Sequence, residues 1–573
     1  MKSVITNAAD LTVLATDASG TSKTGGGPVS VGAAVVMATK GPVMQVVQVV
    51  AANLKALFGK PMTRKSLGME GLRHVADAIK SCNYINLIRV VGADAAFPSL
   101  ALELDAPLTP YTAADHPYGT SLSVGAGSVF QVWPIDGDPS VNRSFEIANI
   151  VTDKGDYDTL LDYAVNDVVT VDGVRLICIA PHVAVDPDPT PSIPTAHFKG
   201  YKGQYDNRAT INFYDKDDEG VEYLLESYPV GFADTDTDDL GRSAFIETVL
   251  EQQSTRFRCD FDSDLTYAAI HASLVSGSVK EAFVGGTNGV VAPTVEEWKA
   301  AWDLLRNESY AANLMFAAGN YEADVLVNCI DIAAIRRDSF FFDINPALPP
   351  AQALTWLKGA GLEGRQANVY HCPFEANDPT YGGKAVWGVS GEAVAACAKG
   401  DANFSGATPG IHYAPAGGIR AKLSRTGLKA LYPGEILNRD DFYDARVNPV
   451  IVGNSGGAVI DDCLALWYKQ DYRRFVWVNR IDNYIAKRFL EMAAALKFEP
   501  DGLTFDGLTR GTKDILEELV TSGALVPPRD PADGKSPYTV EVEQVEIDLW
   551  LVTWGFCPTG AARRIAGQPK LIK

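Results

Sequence analysis

Near the end of the chain, residues Tyr538–Trp554 (YTVEVEQVEIDLWLVTW) alternate apolar and polar positions almost without a break. Val540 and Val542 face one way, with Glu541 and Glu543 opposite. After Gln544 the phase slips, and Val545, Ile547, Leu549 and Leu551 take over, opposed by Glu546, Asp548 and Trp550. Period-two alternation predicts an extended strand with one buried face, and the slip at Glu543–Gln544 predicts a β-bulge. A single strand of this length exceeds the usual five or six residues. No hairpin partner stands out nearby, so the pattern predicts that its partner strands come partly from another copy, by strand addition.

From Val29 the text reads as layered α/β. Val31–Ala38, Gln45–Val50 and Tyr84–Val91 are predicted strands, and Ala51–Phe58 and Gly71–Lys80 predicted helices. Residues 105–205 change character. Short strands, among them Arg175–Ala180, and Asp-Gly turns replace helical patterns, and Asp186–Pro194 (DPDPTPSIP) reads as a stiff linker. This span is expected to be a β-rich insertion. The α/β pattern resumes at 206 with a strand at Arg208–Tyr214, a helix beginning near Asp238 and a capped helix at Thr294–Leu305. Further units follow at Asn313–Phe316, Glu322–Arg336, Ser339–Asp343 and Val369–Phe374. In a last unit, 426–536, Val450–Val452 and Ala458–Ile460 flank the loop Gly453–Gly457 as a hairpin. Phe475–Asn479 is a predicted strand. Arg480–Leu496 is a helix with an apolar stripe from Ile481 to Leu496, and Arg480, Lys487 and Arg488 lie outside that stripe. Leu508–Val520 is one more helix.

The predicted fold class is thus a multidomain α/β (α+β) chain. Its parts are an N-terminal arm (1–28), a middle α/β domain in two stretches (29–104 and 206–425), an inserted β-rich outer domain (105–205), an α/β C-terminal domain (426–536) and a C-terminal arm (537–573). The N-terminal arm holds one weak strand, Leu11–Thr16, with Leu11 and Val13 on one side, before the flexible run SGTSKTGGG.

Charge narrows the function classes. The formal net charge of −21 disfavours a nucleic-acid-binding face, which needs basic character. No run of about 18 apolar residues predicts a membrane span. The opening MKSVITNAADLTV lacks the charged-then-apolar pattern of a secretory leader. The eight cysteines form no CxxC pair and read as buried free thiols in a reducing cytoplasm, with no metal site and no cofactor expected.

Candidate chemistry is sparse. Gly453-Asn454-Ser455-Gly456-Gly457 fits GxSxG, but β-branched runs on both sides predict a hairpin loop rather than the strand-to-helix elbow a nucleophile needs. A Ser455 hydrolase is the rival class, and the reading expects no enzyme. Asp260, Asp262 and Asp264, and the run Asp234–Asp239, lack the glycine and terminal glutamate of a calcium loop and read as solvated turns. Arg336–Arg337 beside Asp338 offer a candidate anion site, but basic residues also suit a helix C-terminus. His371–Cys372 reads as a buried strand pair. Arg473, Arg474, Arg480, Lys487 and Arg488 stand out in an acidic chain, either as a solvated helix face or as a patch for an acidic partner.

Several of these segments resemble contractile tail sheath proteins of bacteriophages and related injection machines. Asp471–Asp501 (DYRRFVWVNRIDNYIAKRFLEMAAALKFEPD) resembles the sheath pattern of an aromatic-rich "RYVNVRR" stretch running into an amphipathic helix and closing on "FEPN". Leu464–Trp467 stands where the family has "VVVWG". Gly41-Pro42 with Leu54–Gly59, Gly285–Gly289 and Gly410–Gly418 look like the family's "GPVN…FxxLFG", "GGxDG" and "GVWxAPAN". The resemblance covers roughly 29–104 and 206–554, and 105–205 matches nothing in it. Asn288 replaces the acid of the glycine loop, and His412 an aromatic.

What the resemblance implies is a structural subunit that polymerises with itself into stacked hexameric rings around a tail tube. Its N- and C-terminal arms would donate strands to neighbouring copies, and contraction would drive the tube through the host envelope. The partners it implies are the chain itself, the tube protein, and baseplate and terminator proteins. The implied location is the tail sheath of a virion, assembled in the host cytoplasm; a pyocin-like or secretion-type sheath is the alternative within the class. On this basis Leu11, Val13, Val540, Val542, Val545, Ile547, Leu549 and Leu551 are the expected inter-subunit strand residues. Arg473, Arg480, Lys487 and Arg488 are tube-facing candidates, with Arg510 and Lys513 a rival surface.

Overall fold

The computed structural model describes residues 30–563 apart from 63–69, 104–108, 114–127, 135–142, 185, 191–195, 202–208, 217–219, 239, 255, 262–270, 272–273, 275–279, 290, 407, 435–437 and 453–456. The chain divides into two compact units. One comprises residues 1–38, 44–90 and 292–573, and the other 39–43 and 91–291.

Strand Val31–Met37 explains the first unit. All seven residues are buried, and alternate side chains enter different cores. Ala34 and Val36 join one apolar cluster, and Ala33, Val35 and Met37 the other. A run without polar alternation needs cover on both faces, as in parallel sheets with helices above and below. The sheet has eight strands in the order Val46–Val49, Tyr84–Val90, Val31–Met37, Leu314–Phe316, Ser339–Asp343, Ala367–His371, Val447–Val452 and Ala458–Ile460. The six inner strands are mutually parallel, and the first and last run antiparallel to their neighbours. On one face lie helices Gly71–Ala78, Ser390–Asp401, Val476–Ala494 and Asp501–Thr521. On the other lie Val295–Asp303, Ala323–Arg336 and Pro350–Ala360. Thr294 caps Val295–Asp303 in a reciprocal box with Glu297, as the sequence suggests.

The second unit is mostly β. Two four-stranded sheets share an aromatic core in which Phe213 stacks on Phe257 and Phe130 meets Phe145 edge-on. A further small sheet, from Thr152–Asp156 to Phe198–Gly200, has its own core of Tyr163, Val169, Leu176, Cys178 and Phe198. The separate β unit therefore extends to 91–291, beyond the expected insertion at 105–205. Strand Ala209–Lys216, assigned above to the resumed α/β domain, pairs inside it with Ser144–Ala148 and Glu222–Val230. No boundary falls at 426 either: Val450, Ile460, Ile481 and Ile515 share one core with Ala34 and Leu87.

Three local expectations change. The helix expected near Asp238 starts at Ile246, because Asp238 instead closes a turn, its carboxylate accepting from the backbone N–H groups of Leu240 and Arg242. Phe475–Asn479 is not a strand. Residues 476–479 form the first turn of the long helix Val476–Ala494, entered through a short 3₁₀ turn at Tyr472–Arg474. Its β-branched valines are overridden by tertiary packing of Val476, Trp477 and Val478. Helix Asp501–Thr521 starts right after Pro500, seven residues before the expected Leu508.

Helices Gly71–Ala78 and Ser390–Asp401 touch backbone to backbone. A Cβ on Gly391 would lie 2.1 Å from the carbonyl oxygen of His74. Gly391→Ala is expected to force the two helices apart and to lower stability by about 3 kcal/mol, near the upper end of overpacking costs; a denaturant midpoint shift at unchanged m-value is the measurement.

Candidate assembly surface at the C-terminal hairpin

The stretch 538–556 is two strands, not one. Tyr538–Glu546 and Leu549–Phe556 pair antiparallel around Ile547–Asp548, with Tyr538 opposite Phe556, Val540 opposite Trp554 and Val542 opposite Val552. The register shift lies between Gln544 and Glu546, so the bulge predicted from the phase slip is present, about one residue later. Reversal at Ile547–Asp548 turns the second run back beside the first. A two-residue turn without glycine or asparagine carries little sequence signal, which is why the reversal reads as continuous alternation.

The reversal also changes which residues are buried. Val542, Trp550, Val552 and Trp554 lie on Phe489, Leu490, Ala493 and Leu508 of the two long helices. The Trp554 ring sits 4.9 Å from Phe489, and Trp550 6.0 Å from Phe505. Val545 is half exposed and Ile547 is 90 % exposed in the single chain. Leu549 and Leu551 are half-buried, but Leu551 pairs with Glu543 on the side away from the helices. Val540 and Val542 keep their expected inward side, and Glu541, Glu543, Glu546 and Asp548 are exposed. Among the described residues the two strands pair only with each other. Leu11 and Val13 lie outside the described residues.

The basic candidates separate sharply. Arg480 is buried, with one guanidinium nitrogen 2.6 and 2.7 Å from the two carboxylate oxygens of Asp401. Burial by itself would depress the Arg480 pKa, but the charge and hydrogen bonds of Asp401, together with the nearby Cys397 and Cys82, hold it above its ordinary value. Lys487 donates to Asp338, a wholly buried carboxylate that also takes the Arg336 side chain at 2.7 Å. Arg336 in turn donates to the carbonyls of Leu305 and Tyr310 at 2.6 and 2.7 Å, so it is a structural cross-link and not an anion site. Arg488 donates to the Tyr484 hydroxyl at 3.0 Å and lies 3.7 Å from Glu518. Arg473 is half-buried at the helix entrance. Arg480 and Lys487 are therefore not on a solvated face, because the helix is packed round most of its circumference. Arg510 and Lys513, one turn apart on Asp501–Thr521, are exposed.

The other chemistry resolves into structure. Ser455 lies outside the described residues, but the strands around its loop pair as an antiparallel hairpin, Val450 with Ile460 and Val452 with Ala458. One Ser–His–Asp cluster exists in the core: Ser390 Oγ lies 3.0 Å and Asp343 Oδ2 3.6 Å from His74 Nδ1. Both approach the same ring nitrogen, all three residues are buried, and Asp343 accepts from the backbone N–H groups of Val389 and Ser390. A triad needs its acid and its nucleophile on opposite nitrogens; this one stitches a helix start to the sheet. Among the described residues no group of three or more ligands fits a metal ion, and no helix is long and apolar enough to cross a membrane. All eight cysteines are free, and six of them are buried. Burial pushes the His371 pKa down to about 4 and that of Cys372 up to about 12; His371 stacks on Phe442 and its Nε2 lies 3.1 Å from the Leu348 carbonyl.

Two outcomes follow from this geometry. In the lone chain Trp554→Ala should cost roughly 2–3 kcal/mol, somewhat less than truncating a fully buried tryptophan, whereas Ile547→Asp should change stability by less than about 0.5 kcal/mol; equilibrium urea unfolding compares them. His371 is held neutral in the fold, so its folded pKa lies below its unfolded value. The unfolded chain takes up a proton first, and stability should fall as pH drops from about 6.5 to 4, by on the order of 3 kcal/mol, and level off below that. His371→Gln should flatten this part of the stability–pH curve.

No family model matches the chain, and no curated relative does. Solved structures do. The sheath tail protein Lin1278 from Listeria innocua is similar over 93 % of this chain and 96 % of its own, with 10 % identity and a TM-score of 0.47. The sheath tail protein DSY3957 from Desulfitobacterium hafniense is similar over 92 % of this chain and 97 % of its own, with 10 % identity and a TM-score of 0.44. The helical sheath of the anti-feeding prophage in its contracted state is similar over 49 % of this chain and 76 % of its own, with 15 % identity and a TM-score of 0.37.

Proposed function

We propose that this chain is the structural subunit of a contractile sheath, in a phage tail or a related injection machine, and that its copies are joined by strands added at the C-terminal hairpin. One observation carries the reading. The segment with the sheath-like pattern, Asp471–Asp501, folds into the long helix on which a two-stranded sheet is seated, and no strand among the described residues extends its edges. A two-stranded sheet is marginal alone and gains from further strands. Here the helices already hold its inner face, so an incoming strand meets a fixed template and loses less entropy than one joining a mobile ribbon.

The hairpin changes the division of labour between arms. Tyr538–Phe556 is the template, and the donors are the segment before Ser30, with Leu11 and Val13, and the tail beyond residue 563. Exposed Glu541 and Glu543 on the outer face discourage stacking of free copies. Rings stacked on a tube, contraction, and contact with baseplate and terminator proteins belong to the same proposal. With Arg480 and Lys487 committed to internal pairs, the tube-facing candidates are Arg510 and Lys513.

Deleting 564–573 should leave a folded monomer that forms no tubes, while deleting 537–573 should also strip cover from Phe489, Leu490 and Leu508 and destabilise the chain. Circular dichroism and negative-stain micrographs read the two outcomes, and full-length tubes from the shorter deletion would sink the strand-exchange reading. Arg510→Glu with Lys513→Glu should cut co-sedimentation with tube protein about tenfold, as loss of favourable charge contacts does, with sheath-only polymers unchanged.

A further inference from the structure

The two ends of the described chain converge on one turn of a single helix. At the entrance, the Ser30 hydroxyl donates to Asp401 at 2.9 Å, and Asp401 is held by Arg480. Ser30 leads straight into Val31–Met37, the strand buried at every position. At the exit, the Trp477 indole N–H donates to the Thr559 carbonyl at 3.1 Å. Four residues on, the Arg563 guanidinium is paired through two nitrogens with Asp462 and lies over the rings of Tyr443 and Phe475, at 4.9 and 5.6 Å. Phe475 stacks on Trp477 at 4.6 Å. Trp477 and Arg480 are three residues apart, so they lie side by side on the helix surface.

From this convergence we infer that the turn Trp477–Arg480 is a mechanical coupler between the two ends of the described chain. Tension on the segment before Ser30 passes through Asp401 and Arg480 into the helix and leaves through Trp477, Thr559 and Arg563. The backbone ladder of Val31–Met37 carries load beside this polar route. Directed polar contacts suit this role, because a hydrogen bond resists displacement along its own axis while apolar contacts permit sliding. The consequence for assembly rests on the sheath reading: if copies are linked through their ends, each copy is a stiff link in a continuous line of tension.

The coupler is tested on the isolated full chain, without assembly. The chain is held by handles at its first and last residues and pulled at constant force. Replacing Arg480 would strand the buried Asp401 charge, and truncating the buried Trp477 would leave a cavity, so the variants are Ser30→Ala, which removes one hydrogen bond from the line, and Arg563→Gln, which removes the pair with Asp462 at the half-buried exit. The control is Arg306→Gln, whose exposed pair with Asp303 lies off it. Each test variant should unfold about tenfold faster than the parent under tension, the scale of one net hydrogen bond, with less than about a threefold change in unfolding rate in denaturant. The control should change neither. Equal changes with and without force, or no change under force, would overturn the coupler. Full-length tubes from the 564–573 deletion would sink the strand-exchange reading and leave this result standing.

Discussion

Strand Val31–Met37 has no side chain in water, and that single constraint organises the first unit. A strand buried on both faces has to be covered twice, so helices gather above and below it, and its neighbours inherit the same demand. Ser339–Asp343 sends Phe341 to one side and Phe340 and Phe342 to the other. Two cores then form around one sheet. The helices on one face, including Val476–Ala494, become part of the same apolar cluster as the sheet. The platform for the C-terminal hairpin is in this way anchored to the centre of the unit.

Charge is handled in a way the formal total hides. The chain carries a net −21, yet several of its cations are inside. Arg480 meets Asp401, Arg336 and Lys487 share Asp338, and Arg73 takes Asp378 through two bonds of 2.7 Å. Arg425 lies 4.1 Å over Trp387 and 3.2 Å from Asp77. Burial pulls the Asp77 pKa upward, but Arg425 and Lys80 outweigh it and leave it below the usual carboxylate value. Apart from Arg336 with its near neighbour Asp338, each pair joins elements far apart in sequence, and each demands one geometry, since a buried charge without its partner costs several kcal/mol. These cations take their carboxylates inside with them, so the exterior keeps the acidic excess of the composition, and exposed basic residues such as Arg510 and Lys513 stand out against it.

The apolar patterns already contain most of the elements of the first unit. The strands at 31, 84, 314, 339 and 458, the Thr294 cap and the hairpin around Gly453–Gly457 lie where periodicity and capping residues put them. These are signals carried by neighbours in sequence, and burial strengthens them. The core histidine and thiol at 371 and 372 are readable for the same reason: a local apolar run decides both.

Tertiary structure decided the rest. Whether YTVEVEQVEIDLWLVTW is one strand or two depends on a reversal at Ile547–Asp548 that no turn residue announces, and the helices beneath select the face that is buried. The partners of Arg480 and Lys487 stand 79 and 149 residues away in the chain, so a basic helix face and a pair of internal cross-links look alike in sequence. The extent of the β unit, 91–291, is set by pairings between strands such as Ser144–Ala148 and Ala209–Lys216, which composition does not record. Periodicity along a chain states that a residue has a buried side. Only the folded chain supplies what lies against it.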